Sequence, residues 1–294
     1  MILVVGATGQ LGGTIVKRLL AQGKQVRILV RPNSPSEALA RQGLATSAAE
    51  LAAAGAGVIS GDLRDRVSLD AACQGIDTLI TTANSILRDN DIEGIDLNAN
   101  LSLIEAARAA GVKHFIFTST NLSDPNSPDP FARAKGVVEQ RLRESGMTYT
   151  ILKPGLFMEV WVAMTVGMPL RAGQPVTLVG QGDHRHAFVS QADVANYAVA
   201  AVDHPAARNA DIFIGGPASY SWTEAVQTIG KVIGTQLPVN YVAPGTPIPL
   251  LPESMWGLLY GMEMFETEVP MEETAKTYGI PPTSLEVFAR RFFV

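Results

Sequence analysis

Gly6, Gly9 and Gly12 stand three residues apart in MILVVGATGQLGG, directly after an apolar run and directly before the helical pattern LGGTIVKRLLAQG. Glycine at this spacing suits a turn that bends tightly, lets a pyrophosphate approach without a Cβ in the way, and packs a helix on a strand. The open amides and dipole of a helix N-terminus stabilise phosphate charge, and Thr8 adds a hydroxyl donor. Glycine-rich turns are also simply turns, but this one has the strand, the helix and a second strand ending near residue 30, the context that dinucleotide binding requires. Gly6, Thr8, Gly9, Gln10, Leu11 and Gly12 are the expected contacts.

The end of the second strand bears on which dinucleotide. An acidic side chain there would bind the ribose 2′-hydroxyl of NAD, whereas this sequence places Arg31, followed by Pro32, Asn33 and Ser34. A guanidinium pairs with a 2′-phosphate through a planar fork of donors, so NADP(H) is favoured over NAD(H), the alternative being a solvated arginine. Asp62 and Leu63 in SGDLRD follow the third strand, where the carboxylate either binds adenine or caps the next turn. Thr82, Ala83 and Asn84 end the fourth strand on the side of a doubly wound sheet where ligands lie.

Two other groups of reactive residues read differently. His184 and His186 in GDHRHAF share one face of a strand, yet no cysteine or carboxylate cluster completes a ligand set, so no metal is expected and the histidines read as a polar rim or as satisfied groups. Cys73 is the single cysteine, which excludes an intrachain disulfide and a thiolate cage, and it reads as a small buried thiol.

The elements that must position these residues are legible from periodicity. Continuous apolar runs at 2–5, 25–30, 57–60, 77–83, 113–119 and 148–153 alternate with helical patterns, as expected of a parallel sheet covered on both faces. Right-handed crossovers then give an α/β, doubly wound Rossmann sheet. Within the segment 95–110, Leu97, Leu101 and Ile104 form one stripe at helical spacing, aimed at the sheet. Between Arg31 and Gly57 two short helices, 36–42 and 47–54, read as a local elaboration. After Pro154 the strands 176–179, 186–189 and 211–214 and helices 191–203 and 222–234 suggest a smaller, interwoven α/β lobe. The expected division is 1–153 and 154–294, with elements around 186–214 returning to the first part.

Bulk properties exclude some classes. The 294 residues are 47% hydrophobic and 17% charged, with a net charge of −5 and no dense Lys/Arg cluster, so nucleic acid is not an expected partner. No apolar run reaches the ~20 residues that span a bilayer. The chain begins inside a predicted strand, which leaves no room for a leader, and the cytoplasm is the expected location. The stretch 246–265 reads as a lid or partner-facing helix, and a homodimer is compatible with it.

GATGQLGG, GDLRD, ILKPGLFMEVW at 151–161, HAFVSQADVANYAVAAV at 186–202 and TAKTYGIPPTSLEVFARR at 274–291 together resemble the NmrA-like group of atypical short-chain dehydrogenases/reductases. The resemblance spans nearly the whole chain. It implies an NAD(P)-binding Rossmann domain and a small C-terminal lobe with a substrate cleft between them. The group includes NADPH-dependent quinone reductases, reductases of plant phenolics, photosystem assembly proteins and NADP-sensing regulators, so kinship alone does not select a function. Pro154, Gly155 and Phe157 are implied to flank the nicotinamide. Met158, Trp161 and Met164 then form either an apolar wall for a flat substrate or ordinary core.

Typical members of the wider superfamily carry Tyr-x-x-x-Lys, the tyrosine exchanging a proton with substrate and the lysine holding the ribose. Phe131 and Lys135 align with that pair. Phenylalanine keeps the ring and loses the proton donor, which as a general acid is typically worth about 10²- to 10⁴-fold in rate. The acceptors least harmed are those whose hydride adduct delocalises its charge, a quinone or similar conjugated carbonyl. Lys135 either binds ribose alone or also supplies the proton, and Ser119 and Thr120 either bind a substrate oxygen or cap a turn. The expected function is therefore an NADPH-dependent reductase of a flat, conjugated small molecule, and the alternative is a non-catalytic NADP(H)-sensing protein.

Overall fold

Ile2–Val5 form β1, four residues buried on every side, because the strand lies inside a sheet with helices on both faces. In the computed structural model every residue is described except Asn33, Leu87, Pro252 and the side chain of Ser254. After β1 come α1 (Gln10–Ala21), β2 (Val26–Val30), α2 (Ser36–Ala40), α3 (Ala48–Ala53), β3 (Gly57–Ser60), α4 (Arg66–Cys73) and β4 (Thr78–Thr81). A π-helix, Ile92–Ala99, runs directly into α5 (Asn100–Ala109), and β5 (His114–Thr118), α6 (Pro130–Glu144) and β6 (Thr148–Pro154) follow. The later elements are β7 (Leu156–Phe157), α7 (Met158–Val162), α8 (Met168–Ala172), β8 (Val176–Val179), β9 (Arg185–Val189), α9 (Gln191–Ala201) and β10 (Ala210–Ile214). Then come β11 (Ser219–Ser221), α10 (Trp222–Ile233), β12 (Val239–Val242), α11 (Glu253–Met262), α12 (Glu272–Tyr278) and α13 (Leu285–Phe293).

Seven strands form one sheet in the order β10-β6-β5-β4-β1-β2-β3. β1 pairs in parallel with β2 on one side and with β4 on the other, Val4 lying beside Ile28 and Ile80. The chain therefore winds outward in opposite directions from β1, which opens a crevice at the carboxyl ends of β1 and β4. This is the doubly wound Rossmann fold.

Two compact units result, Met1–Lys153 with Val194–Ile212, and Pro154–Asp193 with Phe213–Val294. In the first, Leu3, Leu79, Phe115 and Ile151 from the sheet pack with Leu69, Leu103, Val138 and Leu142 from α4, α5 and α6. Cys73 belongs to this core, and burial pushes its thiol up to about 12, out of the reactive range. In the second unit, Phe188 and Trp222 pack edge to face amid Val166, Val226, Leu259 and Phe288. No helix among the described residues is long and apolar enough to cross a membrane.

In the segment before β5 the expected helical stripe packs on the core, with Ile104 fully buried. Leu97 and Leu101 are only half-buried, whereas Asp96, Ala99, Asn100 and Leu103 are buried. Asp96, Asn100, Leu103 and Ala107 are spaced i, i+4, i+7 and i+11, so one buried face runs from the π-helix into α5 and carries Asp96 inward. The short strands β7, β11 and β12 escape the sequence pattern, since two to four residues carry too little periodicity to read.

Candidate functional site

Gly6 takes φ of +81°, a conformation that disfavours any side chain, and a Cβ there would lie 2.7 Å from Thr82 Oγ1. A Cβ on Gly12 would collide with the Gly6 carbonyl. Gly9 is different: its backbone is extended, its N–H donates to Gly6 O at 2.9 Å, and a Cβ would stand 3.3 Å from that oxygen, tight but without overlap. Gly9 thus keeps space open in front of the turn more than it satisfies the fold.

The helix that starts here has no capping side chain and no acidic residue in its first turn. By contrast Asp65, Asp129, Ser221 and Ser284 cap α4, α6, α10 and α13 with side-chain oxygens. The amides of Gln10, Leu11 and Gly12 are left without the intrahelical acceptors that later residues have, which fits a pyrophosphate in the space that bare Gly9 leaves. Thr82 completes the cradle from β4, its N–H donating to Val5 O at 3.0 Å and its Oγ1 lying 3.4 Å from Gly6 O. Ala83 packs against the core, and exposed Asn84 donates to Thr82 O at 3.3 Å.

The segment between β2 and β3 also docks on this turn. Thr46, buried, donates its N–H to Thr8 O at 2.9 Å, and Gln10 Nε2 donates to Gly43 O at 2.9 Å. A Cβ on Gly13 would run into the Thr46 side chain. What reads in sequence as a local elaboration is a second wall of the glycine turn.

Arg31 closes β2, half-buried, and forms no ion pair among the described residues, while Asn33 beside it lies outside them. Arg88, on the loop after β4, is the unforeseen neighbour: desolvation first and the like charge of Arg31 second lower its pKa. Asp89 acts on Arg88 in the opposite sense, more weakly than Arg31. Asp62 accepts the Arg64 N–H at 2.9 Å, the capping alternative, while the Leu63 side chain is in the core.

Lys135 is buried, 2% exposed, and its Nζ lies 3.2 Å from Oδ1 of Asp96, which is fully buried. The ammonium stands 5.1 Å from the ring centroids of both Phe117 and Phe131. Asp96 Oδ2 accepts from Ser85 N at 3.0 Å and Ser85 Oγ at 2.7 Å. Sequence reasoning found Lys135 and Phe131 but not Asp96 or Ser85. Ser119 is committed elsewhere, donating to Glu139 Oε1 at 2.5 Å, and Glu139 also pairs with Lys153 at 2.9 Å and Arg143 at 3.2 Å. Thr120 Oγ1 accepts the Leu122 N–H at 3.4 Å, a turn contact.

The second unit holds the remaining predicted residues. Pro154 ends β6, and Gly155 donates to Ile214 O at 2.9 Å where a Cβ would overlap the Ala187 carbonyl. Leu156 and Phe157 pair with Phe188 and Val189. Met158 is core, with Trp161 and Met164 packed against it. Glu159, unnoticed in the sequence, accepts from Ser190 Oγ at 2.9 Å and Gln191 N at 3.0 Å, and burial raises its pKa despite these bonds. His186 is buried against Met262 O at 3.1 Å and Thr267 Oγ1 at 3.4 Å, and burial lowers its pKa. His184 Nδ1 lies 3.4 Å from Asp183 and 4.0 Å from Glu263.

The model of the NmrA-like family matches residues 1–286. An NAD(P)H azoreductase from Xenophilus azovorans is 33% identical over 243 residues, 83% of this chain and 77% of that protein. Photosystem II assembly factor Ycf39 from Cyanophora paradoxa is 30% identical over 312 residues, 99% of this chain and 92% of that protein. The crystal structure of the NADPH-dependent quinone oxidoreductase QOR2 from Escherichia coli complexed with NADPH aligns over 100% of both chains, with a TM-score of 0.80 and 25% identity. The glycine turn, the sheet order and these likenesses agree, and the chain belongs to the NmrA-like family.

Proposed function

We propose that this protein is a reductase that uses NADPH in preference to NADH and delivers hydride to a quinone or similarly conjugated acceptor without a tyrosine acid. The observation that carries the reading is the cradle at the β1/β4 crevice, where Gly9 leaves space, α1 leaves its first amides uncapped, and Thr82 buttresses the turn. In this reading Gly9 and the α1 amides hold the pyrophosphate, Arg31 and Arg88 the 2′-phosphate, and Lys135 the nicotinamide ribose. A bound reduced nicotinamide supplies a hydride, and the protein's contribution is to fix its direction.

Phe131 narrows the acceptor. Its ring lies beside Lys135 with no hydroxyl to protonate a developing alkoxide. An acceptor whose anion is a delocalised phenolate takes its proton from water instead. That an NAD(P)H azoreductase and an NADPH-dependent quinone oxidoreductase stand among the similar proteins supports a conjugated, flat substrate. Steady oxidation of NADPH, faster than of NADH, across a panel of quinones and azo compounds is the expected result; tight NADPH binding with no turnover on any acceptor overturns the catalytic part.

A second reading is favoured by Phe131 together with the likeness to Ycf39 over 99% of the chain: an NADP(H)-sensing assembly protein with no reaction of its own. Under it, reduced and oxidised cofactor differ in affinity and change binding to a protein partner. Equal affinities and no cofactor-dependent complex exclude it.

A further inference from the structure

We infer that Asp96 is the positioning residue of the cofactor site, joining the Lys135 ammonium and the loop after β4 into one unit so that Lys135 acts as a fixed cation and not as a proton source. The inference rests on the cofactor reading above. A single carboxylate makes the connection: Oδ1 faces Lys135 Nζ at 3.2 Å, and Oδ2 takes both donors of Ser85 at 3.0 and 2.7 Å. Ser85 directly follows Thr82, Ala83 and Asn84, the strand end that buttresses the glycine turn. Asp96 lies on the buried face of the π-helix, and Asn100 Nδ2 anchors the end of that helix by donating to Ile95 O at 2.9 Å. Any shift of Asp96 therefore moves the lysine and the cradle loop together.

The state of the lysine follows from its surroundings. Both partners are withdrawn from water, and the flanking groups nearest the ammonium are two aromatic faces at 5.1 Å. Without the cation on Lys135, buried Asp96 would keep only its two hydrogen bonds from Ser85 to balance a carboxylate, a costly arrangement. Among the described residues Nζ faces this one carboxylate, and Asp96 Oδ1 has no hydrogen-bond partner. An ammonium offers three donors, so this one keeps donors for ribose hydroxyls while its charge stays balanced. The proton that completes acceptor reduction then comes from water, one hydride and one proton making the reduced product.

The test uses the full chain with Asp96→Asn, Lys135→Met, the double variant, and Ser85→Ala, measuring NADPH dissociation constants and Tm. Expected are a tenfold or greater weakening of NADPH binding by each of the first two, and a double variant no weaker than Lys135→Met alone. Ser85→Ala, which keeps both charges, should weaken binding severalfold with little loss of Tm, and it keeps the test decisive if Asp96→Asn does not fold. Unchanged NADPH affinity in Asp96→Asn or Ser85→Ala, or additive losses in the double variant, overturns the assignment. A fall of kcat by a hundredfold in Lys135→Met at saturating NADPH also overturns it, because that marks a proton source. If the unaltered protein binds neither NADPH nor NADH, the cofactor reading itself has failed, a result distinct from the others.

Discussion

Lys135 and Glu139 sit one turn apart on α6, both buried, yet their surroundings differ in a way that separates function from framework. Glu139 is saturated: Ser119 Oγ, Lys153 and Arg143 converge on its two oxygens, and Asp211 balances the surplus positive charge at 2.7 Å from Arg143 and 3.3 Å from Lys153. Lys135 has one carboxylate and two aromatic rings, with its hydrogen-bonding capacity unspent. A saturated buried charge fixes a fold; an unsaturated one keeps something in reserve for a ligand.

The sharpest way to break this comparison is at Glu139. Glu139→Ala removes the carboxylate that Lys153 and Arg143 share, and stability should fall by about 3–5 kcal/mol, as when one partner of a buried pair is removed. Thermal unfolding should show a loss of roughly 10 °C, with the NADPH dissociation constant changed less than about threefold. A large loss of affinity with an unchanged Tm would place Glu139 in the site and erase the distinction.

His114 is another buried group of the first unit, its Nε2 2.8 Å from Thr150 Oγ1, whose own hydroxyl donates to Ala207 O at 2.6 Å. Burial, and then the charge of Arg208, push its pKa down to about 4 from 6.5. The folded value is the lower one, so between about pH 6.5 and 4 the unfolded chain binds a proton that the native state refuses. Stability is lost as pH falls through that window, by about 3 kcal/mol in all, and His114 adds no further loss below it. Urea titrations from pH 7 to 4 should show the slope and His114→Gln should flatten it; an equal slope in the variant removes His114 as the cause.

At the glycine turn, Gly9→Ala should leave Tm within a few degrees, because its backbone is extended and its Cβ only crowds Gly6 O. NADPH and NADH binding should both weaken by about a hundredfold, since the methyl fills the pyrophosphate space. Gly12→Ala is the contrasting variant, losing Tm as well through collision with the Gly6 carbonyl. Retained cofactor affinity in Gly9→Ala would move the binding site off this turn. The smallest effect is expected at the edge: Arg31→Asp should lower the preference for NADPH over NADH by about tenfold, the scale of one charge-assisted contact. Arg88→Ala should act in the same direction but less, and a ratio unmoved by either variant detaches both arginines from the 2′-phosphate.

What was legible in the sequence was local. The six parallel strands announced themselves through unbroken β-branched runs, and the glycine turn through positions where φ or a close approach forbids a side chain. Phe131 and Lys135 were visible because they align with the Tyr-x-x-x-Lys pair of the family that the chain resembles. Asp96 was not, because a hydrophobic stripe is read from its apolar members, Leu97, Leu101 and Ile104, and passes over a carboxylate that shares the buried face. Arg88 and Glu159 were hidden for another reason: each acquires its partner across the fold, from Arg31 and from Ser190, at separations that no periodicity encodes.

The bond from Thr46 to Thr8 gives the molecule an internal gauge. The Thr46 amide belongs to the linker between two short helices, yet its acceptor is the carbonyl of a residue inside the glycine turn. Its deuterium uptake therefore registers how firmly that turn is held, with no label, substrate or turnover required, and slower uptake at this one amide marks occupation of the cradle.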